Sequence, residues 1–121
     1  MWTIKFTVAT EPLPQPRPRF SRGRCYQPVR IVEYKKAISQ AAKIAMCGRE
    51  PVTCAVKMTV KLYRKYKIIS RRFGDFDNLA KAITDACNKI VYADDSQIVR
   101  CTIEKHTDKL NPHIEVELSE M

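Results

Sequence analysis

Two acidic segments carry the most evident chemistry in this sequence. One is Asp75-Phe76-Asp77 and the other is Asp94-Asp95. In an extended segment Asp75 and Asp77 project to the same side, because the strand period is two. Asp77 also precedes an expected helix, where its carboxylate suits the N-cap. Asp94-Asp95 follows that helix and precedes an expected strand. A helix with a strand behind it returns the chain toward its start, so the two segments are expected to meet. Three or four converging carboxylates suit Mg²⁺, a hard cation that takes oxygen ligands and keeps waters and substrate phosphates. One or two such ions generate a nucleophilic hydroxide, neutralise a phosphodiester and stabilise its leaving oxygen. Each piece also has a plainer reading. Asp-x-Asp is a common pattern, Asp77 can be a cap alone, and Asp94-Asp95 can be a turn alone.

Lys81 joins the acids. Asp77, Lys81 and Asp85 stand at i, i+4 and i+8, which puts them on one helix face. As a solvated ion-pair ladder this is worth only a few tenths of a kcal/mol per pair. As part of a site, the Lys81 ammonium would steady a scissile phosphate or developing negative charge.

The rest of the pattern supplies elements to position these groups. Residues 2–8 mix β-branched and aromatic residues and read as a strand. Residues 11–19 hold four prolines, which excludes a helix interior or a central strand. Residues 20–29 read as continued loop. Apolar spacing predicts a helix over 31–47, stopped by Gly48. Residues 52–66 read as a long strand with Val56, Met58, Val60 and Leu62 on one face and Lys57, Lys61 and Lys65 on the other. A basic loop, 67–76, leads to an amphipathic helix over 77–89, with Leu79, Ala82, Ile83, Ala86 and Ile90 on its apolar side. Residues 97–105 and 113–118 read as two further strands, with Asn111-Pro112 in the turn between them. The order β-α-β-α-β-β, without repeats, predicts an α+β fold with a mixed sheet packed on two helices, one domain over residues 1–121.

Composition narrows the function classes. At 45% apolar and 29% charged residues, the chain is neither disordered nor collagen-like. No apolar run approaches the ~18 residues of a membrane span, and no secretory leader is evident, so the expected address is cytoplasmic. The 22 basic and 13 acidic residues give a net charge of +9, unevenly spread. Residues 17–72 hold 16 basic residues against Glu33 and Glu50, whereas residues 73–121 hold five basic residues against ten acids. A basic half joined to an acidic half suits a polyanion gripped by one and processed by the other. Five cysteines, Cys25, Cys47, Cys54, Cys87 and Cys101, lack metal spacing and are expected to be buried reduced thiols. His106 and His113 complete no zinc pattern.

These residues resemble a known family. Asp75-Phe-Asp-Asn-Leu-Ala-Lys81-Ala-Ile-Thr-Asp85-Ala is similar to the Asp-x-Asp-Asn-Leu-x-Lys-x-x-x-Asp-Ala core of RusA-type Holliday-junction resolvases. Val91-Tyr-Ala-Asp-Asp95-Ser-Gln-Ile-Val99 resembles that family's Asp-Asp-x-Gln-Val segment, and Lys105 matches a family lysine. Gln15-Pro-Arg-Pro-Arg-Phe20 and Cys25-Tyr-Gln-Pro28 resemble pieces of the phage and Gram-positive branch. Gly74 stands where some members carry a basic residue.

The resemblance implies a homodimeric α+β endonuclease that requires Mg²⁺ and acts on four-way DNA junctions. It implies Asp75, Asp77 and Asp95 as metal ligands and Lys81 as the catalytic lysine, with Asp94 less secure. The expected DNA contacts are Arg17, Arg19, Arg22, Arg24, Arg71, Arg72 and Lys105, within basic loops at 17–30 and 64–72. A membrane partner and an organic cofactor are not expected. The competing reading from another class is a non-catalytic junction- or RNA-binding module on the same fold.

Overall fold

The structure, a computed structural model, describes residues 2–15 and 28–121, together with the backbone course of 19–21 and 24–26. The alternation in the first strand becomes β1, Thr3–Val8, with Ile4, Phe6 and Val8 turned inward. The segment expected to remain loop instead contains a short antiparallel hairpin, β2 (Arg19–Ser21) and β3 (Arg24–Tyr26), with Phe20 opposite Cys25. Two residues separate its strands, the commonest length for a hairpin connection. The hairpin is an addition to the expected order, which otherwise holds.

Helix α1, Val29–Met46, begins directly after Pro28, whose fixed φ suits a helix entrance. It buries Ile31, Tyr34, Ile38, Ala42 and Met46 and ends at Cys47, which takes a left-handed conformation with φ 53°. Strand β4, Val56–Arg64, is shorter than expected, because Val52 leaves it to bridge Tyr92. Helix α2 is Phe76–Cys87, β5 is Ile98–Thr107 and β6 is His113–Glu120.

The sheet order is β1-β6-β4-β5. Its pairs are antiparallel except β4 with β5, which run parallel, with Val60 beside Ile103 and Leu62 beside Lys105. A parallel pair needs a long crossover, and α2 provides it. Burial alternates along β1 and β4, so both helices share one face and the other is left to water, while edge strand β5 shows no such alternation. The core joins Ile38 of α1, Leu79 and Ile83 of α2, Met58 and Leu62 of β4, and Leu118 of β6. Each such side chain contributes roughly 1.5–3 kcal/mol through burial. The Ser39 hydroxyl ties the helices by donating to the Ala86 carbonyl at 2.7 Å.

The cysteines depart from expectation. Cys87 is buried, Cys54 is half-buried, and Cys47 and Cys101 are exposed. Cys25 has its side chain outside the described residues. Among the described residues, no helix is long and apolar enough to cross a membrane.

Candidate active site

Asp75 is positioned by the turn that enters α2. Gly74 makes that turn with φ 108°, a conformation that L side chains rarely adopt. A Cβ there would meet Pro14 at 3.4 Å and Leu79 at 3.5 Å, ordinary contact distances, so the backbone conformation and not the space calls for glycine. The two carbonyls before Asp75 are each held by a cation. Arg64 Nη1 donates to the Phe73 carbonyl at 2.7 Å and Lys105 Nζ donates to the Gly74 carbonyl at 2.6 Å. Phe73 is fully buried. A strap from the proline-rich segment adds a third hold, with the Gln15 N–H donating to the Asn78 carbonyl at 2.9 Å.

Arg64 was expected in the DNA-gripping loop, and its placement corrects that. It closes the inward row of β4, is 6% exposed, and its guanidinium meets Glu11 at 3.1 Å. It braces the loop from inside. Lys105 likewise spends its ammonium on the Gly74 carbonyl, and its Nζ lies 5.3 Å from the centre of the Phe73 ring. Sequence reasoning missed both braces.

Helix α2 starts one residue earlier than expected, so Asp75, not Asp77, holds the N-cap position. The Asp75 carboxylate makes no capping bond and has no partner among the described residues. Asp77 lies in the first turn, where Oδ1 accepts from the Asn78 N–H at 3.0 Å. Both acids are exposed at the positive end of the helix dipole, which favours negative charge.

The second acidic segment is built by different means. Buried Tyr92 donates its hydroxyl to the Thr84 carbonyl at 2.6 Å, anchoring the chain that leaves α2. Asp94 caps a single 3₁₀ turn, Asp95–Gln97, by accepting from the Ser96 N–H at 3.0 Å. Hydrogen bonding from Ser96, its side chain first and its backbone N–H second, holds the Asp94 carboxyl below its ordinary range. Gln97 returns the cap by accepting from the Asp94 N–H, and its amide donates to the carbonyls of Val52 and Cys54 at 2.8 and 2.9 Å. Asp94 is therefore occupied structurally. Asp95, half-buried, makes no hydrogen bond or ion pair among the described residues.

Lys81 stands beside this second segment. It donates to Asp85 Oδ1 at 3.0 Å, and Lys35 of α1 approaches the other Asp85 oxygen at 3.6 Å. The hydrogen bond to Asp85 is the main cause that raises the Lys81 pKa, followed by the Asp85 charge, with a smaller contribution from Asp95. The expected ladder is thus realised on its Asp85 side. Two ammonium donors of Lys81 remain for a phosphate.

The two acidic segments start from different levels of the sheet. The parallel register sets Ile98 beside Val56, so Asp95 lies at the end of the sheet where β4 begins. Asp75 lies where β4 ends, at the start of α2, whereas Asp95 follows that helix, near enough to Lys81 for its charge to act there. Only after β5 has run its length does the chain return to the start of α2, and the residue that arrives is Lys105. Among the described residues, no three acidic, histidine or cysteine side chains are grouped closely enough to hold a metal ion. Their donor chemistry nevertheless fits one. All three carboxylates offer hard oxygens, and two make no hydrogen bond or ion pair among the described residues.

Arg71 and Arg72 are exposed in the loop between β4 and α2. Arg17 and Arg22 lie outside the described residues. Arg19 and Arg24 lie on β2 and β3, with side chains also outside them.

Two comparisons bear on the chain as a whole. The protein "Uncharacterized protein YqaN" of Bacillus subtilis (strain 168) is 32% identical over 138 residues, covering 98% of this chain and 96% of that protein. The family model described as endodeoxyribonuclease RusA matches residues 9–119, which takes in both acidic segments, Lys81 and both braces of the Asp75 turn. The chain accordingly belongs to the RusA endodeoxyribonuclease family.

Proposed function

We propose that this protein is a homodimeric, Mg²⁺-dependent endonuclease that resolves four-way DNA junctions in recombination and repair. The observation that carries the reading is the pair of carboxylates, Asp75 and Asp95, that make no hydrogen bond or ion pair among the described residues and that stand before and after α2, the helix that presents Lys81. Carboxylates kept without partners are costly near phosphates unless a cation joins them.

In this reading Asp75, Asp77 and Asp95 hold the metal. The set closes around the ion, in this reading, when DNA is bound. When bound, the ion neutralises phosphate charge and supplies hydroxide at neutral pH. The chain's own residues do the rest. Lys81, held by Asp85, directs its remaining donors to the scissile phosphate, where charge develops. Arg64 and Lys105 fix the backbone under Asp75. Arg71 and Arg72 neutralise phosphates along the arms. Two copies suit the substrate, since a four-way junction has two-fold symmetry and needs two related nicks. We place the protein in the cytoplasm, with residues 1–121 forming one domain.

The test is cleavage of a synthetic four-way junction and of a linear duplex of the same sequence, with Mg²⁺ and with EDTA. Paired nicks at the junction in Mg²⁺ alone are expected. Equal cutting of both DNAs removes the junction assignment, and cutting in EDTA removes the metal.

A further inference from the structure

The loop between β4 and α2 presents an apolar tip that phosphate binding leaves unexplained. Ile69 is 91% exposed and Ile68 48% exposed. Around them Lys65, Lys67, Arg71 and Arg72 are exposed and lack an acidic partner among the described residues. The loop is a built turn. The Ser70 N–H donates to the Lys67 carbonyl at 2.9 Å and the Phe73 N–H to the Ser70 carbonyl at 3.0 Å. The Ser70 hydroxyl accepts from the Arg72 N–H at 3.1 Å. Buried Phe73 and the Arg64 brace fix its far end. Isoleucine is stiff at χ1, so the tip is rigid as well as apolar.

Exposure alone would mean little, since Leu110 is 97% exposed and flanked by Lys109 and Asn111 with no comparable cluster of cations. What distinguishes Ile69 is its setting. An apolar side chain flanked by lysine and arginine is the arrangement with which DNA-bending proteins unstack a base step while holding its phosphates. A junction offers such a step at reduced cost, because stacking is already interrupted where strands exchange. The tip is also near the proposed chemistry. Ile69 stands six positions before Asp75, a reach of at most about 22 Å even if fully extended.

Resting on the junction reading above, we infer that Ile69 is a wedge that enters the branch point and packs against an unstacked base. Arg71 and Arg72 hold the phosphates beside it. The wedge recognises branched DNA over linear DNA, while the arginines bind both alike.

The experiment places 2-aminopurine at the branch point of a synthetic junction and measures its fluorescence on binding in EDTA. Affinities for the junction and for a linear duplex are measured alongside. Wild-type protein should raise the fluorescence. Ile69→Ser should abolish that rise and weaken junction binding about tenfold, the scale of one buried apolar anchor, with duplex binding changed by less than about twofold. Ile69→Leu should restore both signals. If the wild type prefers junctions and Ile69→Ser leaves the rise and the affinity intact, the wedge is overturned and the junction reading stands. If Ile69→Ser converts the free protein from dimer to monomer in sedimentation, the tip is a contact between copies and the wedge is overturned. A wild type with no junction preference overturns the junction reading and the wedge together.

Discussion

Replacing Lys105 with Met separates two roles for that lysine, a brace for the Asp75 turn or a contact to DNA. Met keeps an unbranched stem beside Phe73 and removes the ammonium that holds the Gly74 carbonyl at 2.6 Å. A hydrogen bond to a charged donor contributes about 1.5–3 kcal/mol, and partial exposure of Lys105 points to the lower end. With about 2.1 cal/mol/K per residue over 121 residues, the unfolding entropy is about 0.25 kcal/mol/K, so 1.5 kcal/mol lowers Tm by about 6 °C. Asp75 sits directly on the freed carbonyl. A displacement near 1 Å costs about 10²-fold in rate. Calorimetry, single-turnover cleavage and binding across a salt series should therefore show a lower Tm, slower cutting and an unchanged salt slope. An unchanged Tm with a slope shallower by about 0.9 would refute the brace and put the ammonium on a phosphate.

Further outcomes follow from the same geometry. Lys81→Ala should slow single-turnover junction cleavage by about 10²- to 10³-fold with little change in Tm, and Lys81→Arg should recover binding but only part of the rate; wild-type cleavage by Lys81→Ala would leave the lysine as half of an ion pair. Replacing Arg71 and Arg72 together with Ala should weaken DNA binding and flatten the log affinity against log salt line by up to about 0.9 for each phosphate no longer neutralised. An unchanged slope places the DNA elsewhere. Burial pushes the Cys87 thiol from 9.0 up to about 12. The unfolded thiol therefore loses its proton first, and its contribution to stability, intact below pH 9, is lost as pH rises toward 12. Tm should fall more steeply between pH 9 and 10.5 in wild type than in Cys87→Ala, and parallel curves would refute that assignment.

The sequence made the core legible where one period dominates. Val56, Met58, Val60 and Leu62 alternate without exception, and α2 repeats apolar residues at three and four. The same alternation carried an unused signal, because Arg64 falls at an inward position of β4, and Lys105 of β5 pairs with inward Leu62. A cation in an inward row needs an internal partner, and here the partners are the Phe73 and Gly74 carbonyls. The Asp94-x-x-Gln97 spacing likewise announced a capping box. How closely the acids approach was not legible, for another reason. Strand order is set by long-range pairing, and local patterning carries no mark that β6 inserts between β1 and β4. The hairpin of β2 and β3 was hidden by arginines and prolines that read as loop.

The central claim is that the carboxylates around α2 cut branched DNA with a metal, and Asp75→Asn tests it most directly. The substitution keeps shape and removes one ligand charge. Cleavage of a saturating four-way junction in Mg²⁺ should fall by at least about 10²-fold. Junction binding should be retained or tightened, because one fewer carboxylate repels the phosphates. An Asp75→Asn protein that cuts at the wild-type rate would contradict the account.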